Sequence, residues 1–318
     1  MSRKTRRKKF IRKPKETEAQ KKARAKRSLI TLCSIVVVIV ATVVIGYIIS
    51  QDKKLSNTEL FESKAELLMQ QVLSGDRDNE LSGEIEDGLP KSAVFISISN
   101  GDERARVFTG TGADKQAAWD DAYNEAHAFV EENSYDCLWV KADLMGEAKT
   151  LSSLEFPTEL HHYRENFFRK GIAFDRNFDT ALLEAELNGA KILDYDTECI
   201  NTTYLRNYLN KAGRTPIVSL PDEYIVFNCV GWICDENSKV YELRSDDANY
   251  GRRKIDLVDK DYAAMVVNNA SSFLIDQVND DGSFVYGMYP RFDREIDSYN
   301  IVRHASTLWS LVCQYRMT

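Results

Sequence analysis

The chain has 318 residues and is 43% hydrophobic, which is enough to build a core and excludes a disordered or collagen-like protein. Its net charge of −7 hides an asymmetry: residues 1–27 hold 14 Lys and Arg against only Glu16 and Glu18, leaving 28 basic and 47 acidic residues in the remainder. A basic arm of +12 therefore precedes a body of −19.

The arm lacks apolar periodicity, and its charge suits an anionic lipid surface, where each basic residue near the headgroups contributes about 1 kcal/mol. Only Phe10 interleaves its cations, so the aromatic platforms of a nucleic-acid binder are missing and nucleic acid is set aside as a partner. From Ser28 to Ser50 no residue is charged. At ~1.5 Å per residue this run is long enough for a ~30 Å hydrocarbon core and reads as a transmembrane helix embedded in lipid over 28–50. Its apolar core exceeds that of a cleaved signal peptide and no Ala-x-Ala follows, so it reads as a signal-anchor. The expectation is a single-pass cell-membrane protein with a cytoplasmic N-terminus and an extracytoplasmic C-terminal domain.

Residues 51–92 read as stalk and linker. Leu60, Phe61, Leu67, Leu68 and Val72 recur near helical spacing over 58–73, and polar and glycine residues gather over 74–90. An α+β domain is expected over 93–255. Val94, Ile96 and Ile98 alternate with Phe95, Ser97 and Ser99 as far as Asn100-Gly101, a hairpin signal, and 104–109 supplies the returning strand. Gly110 and Gly112 then bracket the step into a helix capped by Asp114, with Ala118, Trp119, Ala122, Ala126, Phe129 and Val130 on one face. This Gly-x-Gly lacks the third glycine of a dinucleotide loop and the Lys-Ser/Thr of a P-loop, so it reads as a sharp turn. A strand over 137–144, a helix interrupted at Pro157, a strand and turn over 171–176, helices over 180–188 and 202–209, and a hairpin over 223–243 turning at 235–237 complete the domain.

Beyond the apolar stretch lie Cys137, Cys199, Cys229, Cys234 and Cys313. Five is odd, so at least one thiol is unpaired within the chain. Cys229 and Cys234 flank a short apolar segment that a small disulfide would close, with ordinary buried thiols as the other reading. His161-His162 on a helix point about 100° apart and read as a surface pair rather than metal ligands. No cofactor is expected.

Residues 256–318 read as a helical hairpin, with helices over 261–278 and from Ile301 onward joined by a polar, aromatic loop. That loop holds the densest chemistry. Tyr286, Tyr289 and Tyr299 offer flat faces to sugar rings, Arg303 and His304 offer contacts to hydroxyls or anions, and Asp293, Glu295 and Asp297 are the candidate catalytic acids. The bland counterpart is a solvated loop whose charges pair for less than ~1 kcal/mol each.

Gly282-Ser283-Phe284 after Asp280-Asp281, followed by Tyr299-Asn300 and by Arg303-His304-Ala305 opening a helix, resembles the first hairpin of the six-hairpin (α/α) toroids. Such toroids occur in glycosidase-like proteins, and similar text occurs in membrane-attached bacterial proteins of uncertain role. The resemblance covers about residues 256–318, one hairpin of six, and carries no catalytic residue across, because toroid glycosidases draw their acids from several hairpins. It implies glycan as a ligand and a partner chain covering the hairpin.

The expected whole is an α+β ectodomain followed by an incomplete α/α-toroid-like hairpin and preceded by one transmembrane helix. Its expected role is an envelope-associated binding or scaffolding module related to carbohydrate-active proteins. A glycan-processing, glycosidase-like enzyme that is incomplete here is the alternative. A further one is a type II glycosyltransferase, whose plan of tail, span, stem and external domain the chain resembles, with Asp194 and Asp196 of Asp194-Tyr195-Asp196 holding a divalent metal.

Overall fold

The computed structural model describes residues 55–74, 84–245, 249–255, 257–289 and 294–316. The basic arm and the apolar stretch 28–50 lie outside the described residues. Among the described residues no helix is long and apolar enough to cross a membrane. The expected single-pass architecture, with its cytoplasmic N-terminus and extracytoplasmic domain, is corrected on that finding. It rested on the hydropathy of one stretch, no described helix supplies it, and it is taken no further.

The described chain begins with helix α1 (Asn57–Ser74), then strands β1 (Ser92–Ser99) and β2 (Arg106–Gly112), helix α2 (Lys115–Asn133) and the long strand β3 (Trp139–Ser152). A second group follows: α3 (Phe156–His161), β4 (Gly171–Ala173), β5 (Ala181–Leu182), α4 (Glu184–Gly189), β6 (Leu193–Asp194), β7 (Cys199–Ile200) and α5 (Thr202–Lys211). β8 (Glu223–Cys234) and β9 (Val240–Glu242) return to the sheet, and α6 (Lys260–Asp276), β10 (Met288–Tyr289), β11 (Arg294–Glu295) and α7 (Ile301–Tyr315) form the C-terminal part.

Seven strands make one antiparallel sheet in the order β2-β1-β3-β8-β4-β5, with β9 added to β8. β3 and β8 form its spine and pair in two stretches, separated by a register shift between Met145 and Ala148. One extra residue on β3 bends the strand and curls the sheet into a half-barrel. Asn228 Oδ1 accepts from the Glu147 N–H at 2.7 Å, which satisfies a backbone donor that the bulge takes out of the ladder. The α+β expectation is thereby corrected to a mixed α/β fold on a curled antiparallel half-barrel. Period-2 patterning at β1 pointed to one buried face, whereas Ala93 to Ile98 are buried on both: α1 and α2 cover Val94, Ile96 and Ile98, and on the other side the curl of the sheet stacks Phe95 on Phe227.

On one face Phe61, Ala65, Leu68 and Val72 of α1 and Ala118, Trp119, Ala122, Ala126 and Val130 of α2 pack over Val94, Ile96, Ile98, Val140, Ala142, Leu144, Val230 and Trp232. Each large side chain buried there contributes about 1.5–3 kcal/mol. The helix at 57–74 is thus part of the core. Lys64 of α1 is fully buried, with Nζ donating to the carbonyls of Cys137 and Leu138. On the other face Phe95, Phe227, Phe178 and Met145 form a second cluster. Phe156, Phe168, Ile172, Leu187 and Leu209 form a third beneath α3, α4 and α5, where Tyr224 and Val226 join it from the same side of β8 as Val230 and Trp232. The segment before β1 is tied down as well: the N–H of Glu86 donates to the Ala148 carbonyl, and its carboxylate accepts from the Thr150 N–H at 2.6 Å.

Two sequence readings resolve at the strand level. Cys229 lies in the Phe227 cluster and Cys234 in the Ile98 cluster, on opposite faces of β8. Five residues of strand span about 16 Å, more than twice the ~7 Å Cα separation that a disulfide tolerates. The described cysteines are all free. Gly110, in turn, is required by close approach: a Cβ there would lie 2.2 Å from the Ala118 carbonyl oxygen and from the Ala122 nitrogen.

Candidate functional site

The loop between α6 and α7 is where the sequence concentrated its chemistry. Asp259 caps α6, accepting from the Tyr262 N–H at 2.8 Å, and Asn300 caps α7, accepting from the N–H groups of Val302 and Arg303 at 3.0 and 3.1 Å. Between them the chain turns at Gly282, where φ is +81°, and Asp281 holds the turn by accepting from the N–H and hydroxyl of Ser283. Val278 bridges Phe284, and a short ribbon pairs Met288 with Glu295 and Tyr289 with Arg294.

The Asn300 cap fixes where α7 starts, and hence where Arg303 and His304 point. The Arg303 guanidinium lies 4.8 Å from the centre of the Tyr286 ring. The His304 ring sits 5.2 Å from Phe284 and 5.7 Å from Tyr299, edge-on to the first and tilted against the second. Its Nδ1 is shielded from solvent and has no hydrogen-bond partner. Arg294 lies 5.7 Å from the Tyr289 ring. Tyr286, Tyr299, Arg303 and His304 thus share one cluster with Phe284, while Tyr289 stands on the ribbon.

The candidate acids are placed differently. Glu295 and Asp297 are exposed on and just after β11, and Asp293 lies outside the described residues. A general acid works from a site that excludes water, and neither exposed carboxylate has one.

Asp194 and Asp196 occupy the turn between β6 and β7. The Asp194 carboxylate accepts from the N–H groups of Asp196 and Thr197, both at 3.1 Å, and the Thr197 bond holds it below the usual carboxylate range. Asp194 is spent on closing the turn, and Asp196 faces solvent. Among the described residues no group of three or more His, Cys, Asp or Glu is arranged to hold a metal ion. His161 contacts Glu198 at the surface, and His162 is exposed. The Gly-x-Gly of β2 offers no anion cradle either, since the Thr111 N–H already donates to the Asp121 carboxylate at 3.0 Å.

Sequence reasoning missed the buried charges behind the sheet. Asp143 is 2% exposed, lies 2.7 Å from Lys141 Nζ, and has its carboxyl pushed up by burial against the pull of that lysine. Glu186 accepts from the Leu183 N–H at 2.6 Å and the Tyr208 hydroxyl at 2.7 Å, with Arg214 at 3.6 Å. Burial raises its carboxyl and Arg214 opposes the shift. A Lys-x-Asp inside an apolar strand was the one visible signal, because same-face charges two apart need each other when the strand is covered.

No protein-family model and no curated protein matches this chain.

Proposed function

We propose that the protein is a non-catalytic binding or scaffolding module related to carbohydrate-active proteins, with the loop of 278–304 as its glycan-facing surface. The observation that carries this reading is the cluster at the start of α7. Arg303 over Tyr286, and His304 between Phe284 and Tyr299, set aromatic faces beside a guanidinium and an imidazole. Sugar rings stack on such faces while their hydroxyls take hydrogen bonds from the charged groups. The shielded, unpartnered His304 Nδ1 adds a polar group whose hydrogen bond is left for a ligand or partner to make.

Exposed Glu295 and Asp297 favour binding over hydrolysis here. The uncovered helix surfaces agree with a docking role, since Met265, Val266, Phe273, Leu308, Trp309 and Val312 are all exposed. Titration of the full chain with a panel of neutral and acidic oligosaccharides, followed by intrinsic fluorescence, tests the reading. Saturable binding that weakens at least tenfold in Tyr299→Ala and Arg303→Ala is expected. Affinity that both variants leave unchanged, or no binding across the panel, refutes it.

A further inference from the structure

The helices of the C-terminal hairpin differ from those that cover the sheet in what they show to solvent. Helix α2 turns Asp120, Asp121, Glu125, Glu131 and Glu132 outward, as a helix with one packed face does. α6 and α7 have no such face. Over 262–275 and 305–315 the chain holds no Asp, Glu, Lys or Arg at all. A helix without a charged side is ordinarily covered by other protein.

The two helices cover only part of each other. On α7 the half-buried positions His304, Thr307, Leu311 and Gln314 recur three and four apart and face α6, where Gln314 Nε2 donates to Asn268 Oδ1 at 3.0 Å. Ile301, Ala305, Leu308 and Val312 form the neighbouring stripe, and the helical period sets Val302 and Trp309 on the side opposite α6. On α6, Ser271 and Leu274 lie on the covered side, and Ala263, Val266, Ala270 and Phe273 make an exposed stripe beside them. Val266, Phe273, Ile301, Val302, Leu308 and Trp309 are between 45% and 73% exposed. At up to ~250 Å² for the largest side chains they leave roughly 700 Å² of apolar surface on each chain. That approaches the ~800 Å² per partner of a stable protein interface.

We propose that a second copy of this chain covers that surface, the α6–α7 hairpins of two copies packing across a two-fold axis as a four-helix bundle. The pairing takes the docking role given to the hairpin above as its premise and supplies the partner. Charge selects a copy over other occupants. The chain beyond residue 27 carries 28 basic and 47 acidic residues, so two copies repel where their acidic surfaces meet and come together where charge is absent. A two-fold contact sets a patch against itself, which an uncharged apolar stripe tolerates and a patch of one sign does not. A charged partner, in turn, gains no ion pair over 262–275 or 305–315. Length fits as well: α6 has 17 residues and α7 has 15, so the four helices match to within one turn along the bundle.

Sedimentation velocity of the full chain across the micromolar range, without sugar, tests the pairing. A species of twice 36.3 kDa that dissociates on dilution is expected. Leu308→Glu/Trp309→Glu, which sets like charges against each other across the axis, sediments as a monomer, and Phe273→Glu on the other helix weakens pairing tenfold or more. These positions are exposed in the single chain, so the variants keep their fold, and thermal melts check that they do. Val218→Glu, 91% exposed and outside the hairpin, leaves the dimer unchanged. A wild type that stays at 36.3 kDa overturns the proposal. An assembly that the hairpin variants leave intact overturns it too, since its contacts then lie elsewhere in the chain, as does one larger than a dimer, because a two-fold contact closes on itself. The mass is read with no oligosaccharide present, so failure of the pairing leaves the glycan titration standing, and failure of that titration leaves the mass standing.

Discussion

Gly110 sits where β2 and α2 touch backbone to backbone. A methyl group there meets the Ala118 carbonyl oxygen and the Ala122 nitrogen at 2.2 Å, and main chain has nowhere to rotate. Gly110→Ala must lever α2 off the sheet, so it is expected to cost about 3 kcal/mol or more. Urea denaturation should show a lower midpoint with an unchanged slope. Glu86 supports a second prediction at this scale. The hydrogen bond from the Thr150 backbone holds its carboxyl below the ordinary 4.5, so the folded chain prefers the ionised form. Its contribution is complete above about pH 4.5 and is lost as pH falls through the lower folded value. Glu86→Gln removes that dependence: the gap in melting temperature between wild type and variant should be widest near neutral pH and shrink as pH falls below about 4.5. A gap that stays constant as the pH falls through that range would sink the assignment.

At the scale of elements, α1 separates what sequence shows from what only packing shows. Its helical spacing of Phe61, Leu68 and Val72 is plain in the text, and the helix forms where that spacing runs. What the text conceals is the partner, because an amphipathic face reads the same whether it meets another helix, a membrane or a sheet. Lys64 misleads for a related reason, since a lysine within the stripe reads as solvent-facing, yet its Nζ supplies the donors for two carbonyls at the start of β3. Lys64→Ala should therefore cost about 2–4 kcal/mol by opening a cavity and orphaning both acceptors. Lys64→Met, which keeps the stem, should cost clearly less. Equal losses in equilibrium denaturation would mean that the two hydrogen bonds, and not the packing of the stem, carry the whole effect at this position. β1, α2, β3, α5, the β8–β9 hairpin and both C-terminal helices were legible because period, caps and turns agree locally. The residues 180–188 were not: a helical spacing of leucines hides β5, whose two residues are set by pairing with Ile172 and Ala173. The α7 cluster was legible as composition, whereas the hollow lined by Arg104, Arg106, Tyr208 and Lys211 was not, since its walls come from segments about a hundred residues apart that only folding brings together.

For the molecule as a whole, burial is distributed very unevenly. β1, β3 and β8 are covered on both faces by three apolar clusters, whereas α6 has only Ser271 buried and α7 has no buried residue among its described positions. The two C-terminal helices hold one another through few groups, among them Gln314 Nε2 donating to Asn268 Oδ1 at 3.0 Å. Little apolar surface is lost to water when this hairpin opens alone, so its opening free energy lies far below that of the sheet. Native-state hydrogen exchange reads the difference directly. Amides of 260–276 and 301–315 are expected to exchange about a thousandfold faster or more than those of β1, β3 and β8, whose exchange tracks global unfolding. A ligand or partner that seats on the hairpin must narrow that gap by its own binding free energy, because whatever covers the exposed face of Phe273, Leu308 and Trp309 stabilises the closed form over the open one. Equal protection in hairpin and sheet for the free chain would mean that the two open together, and that the hairpin is as firmly built as the core.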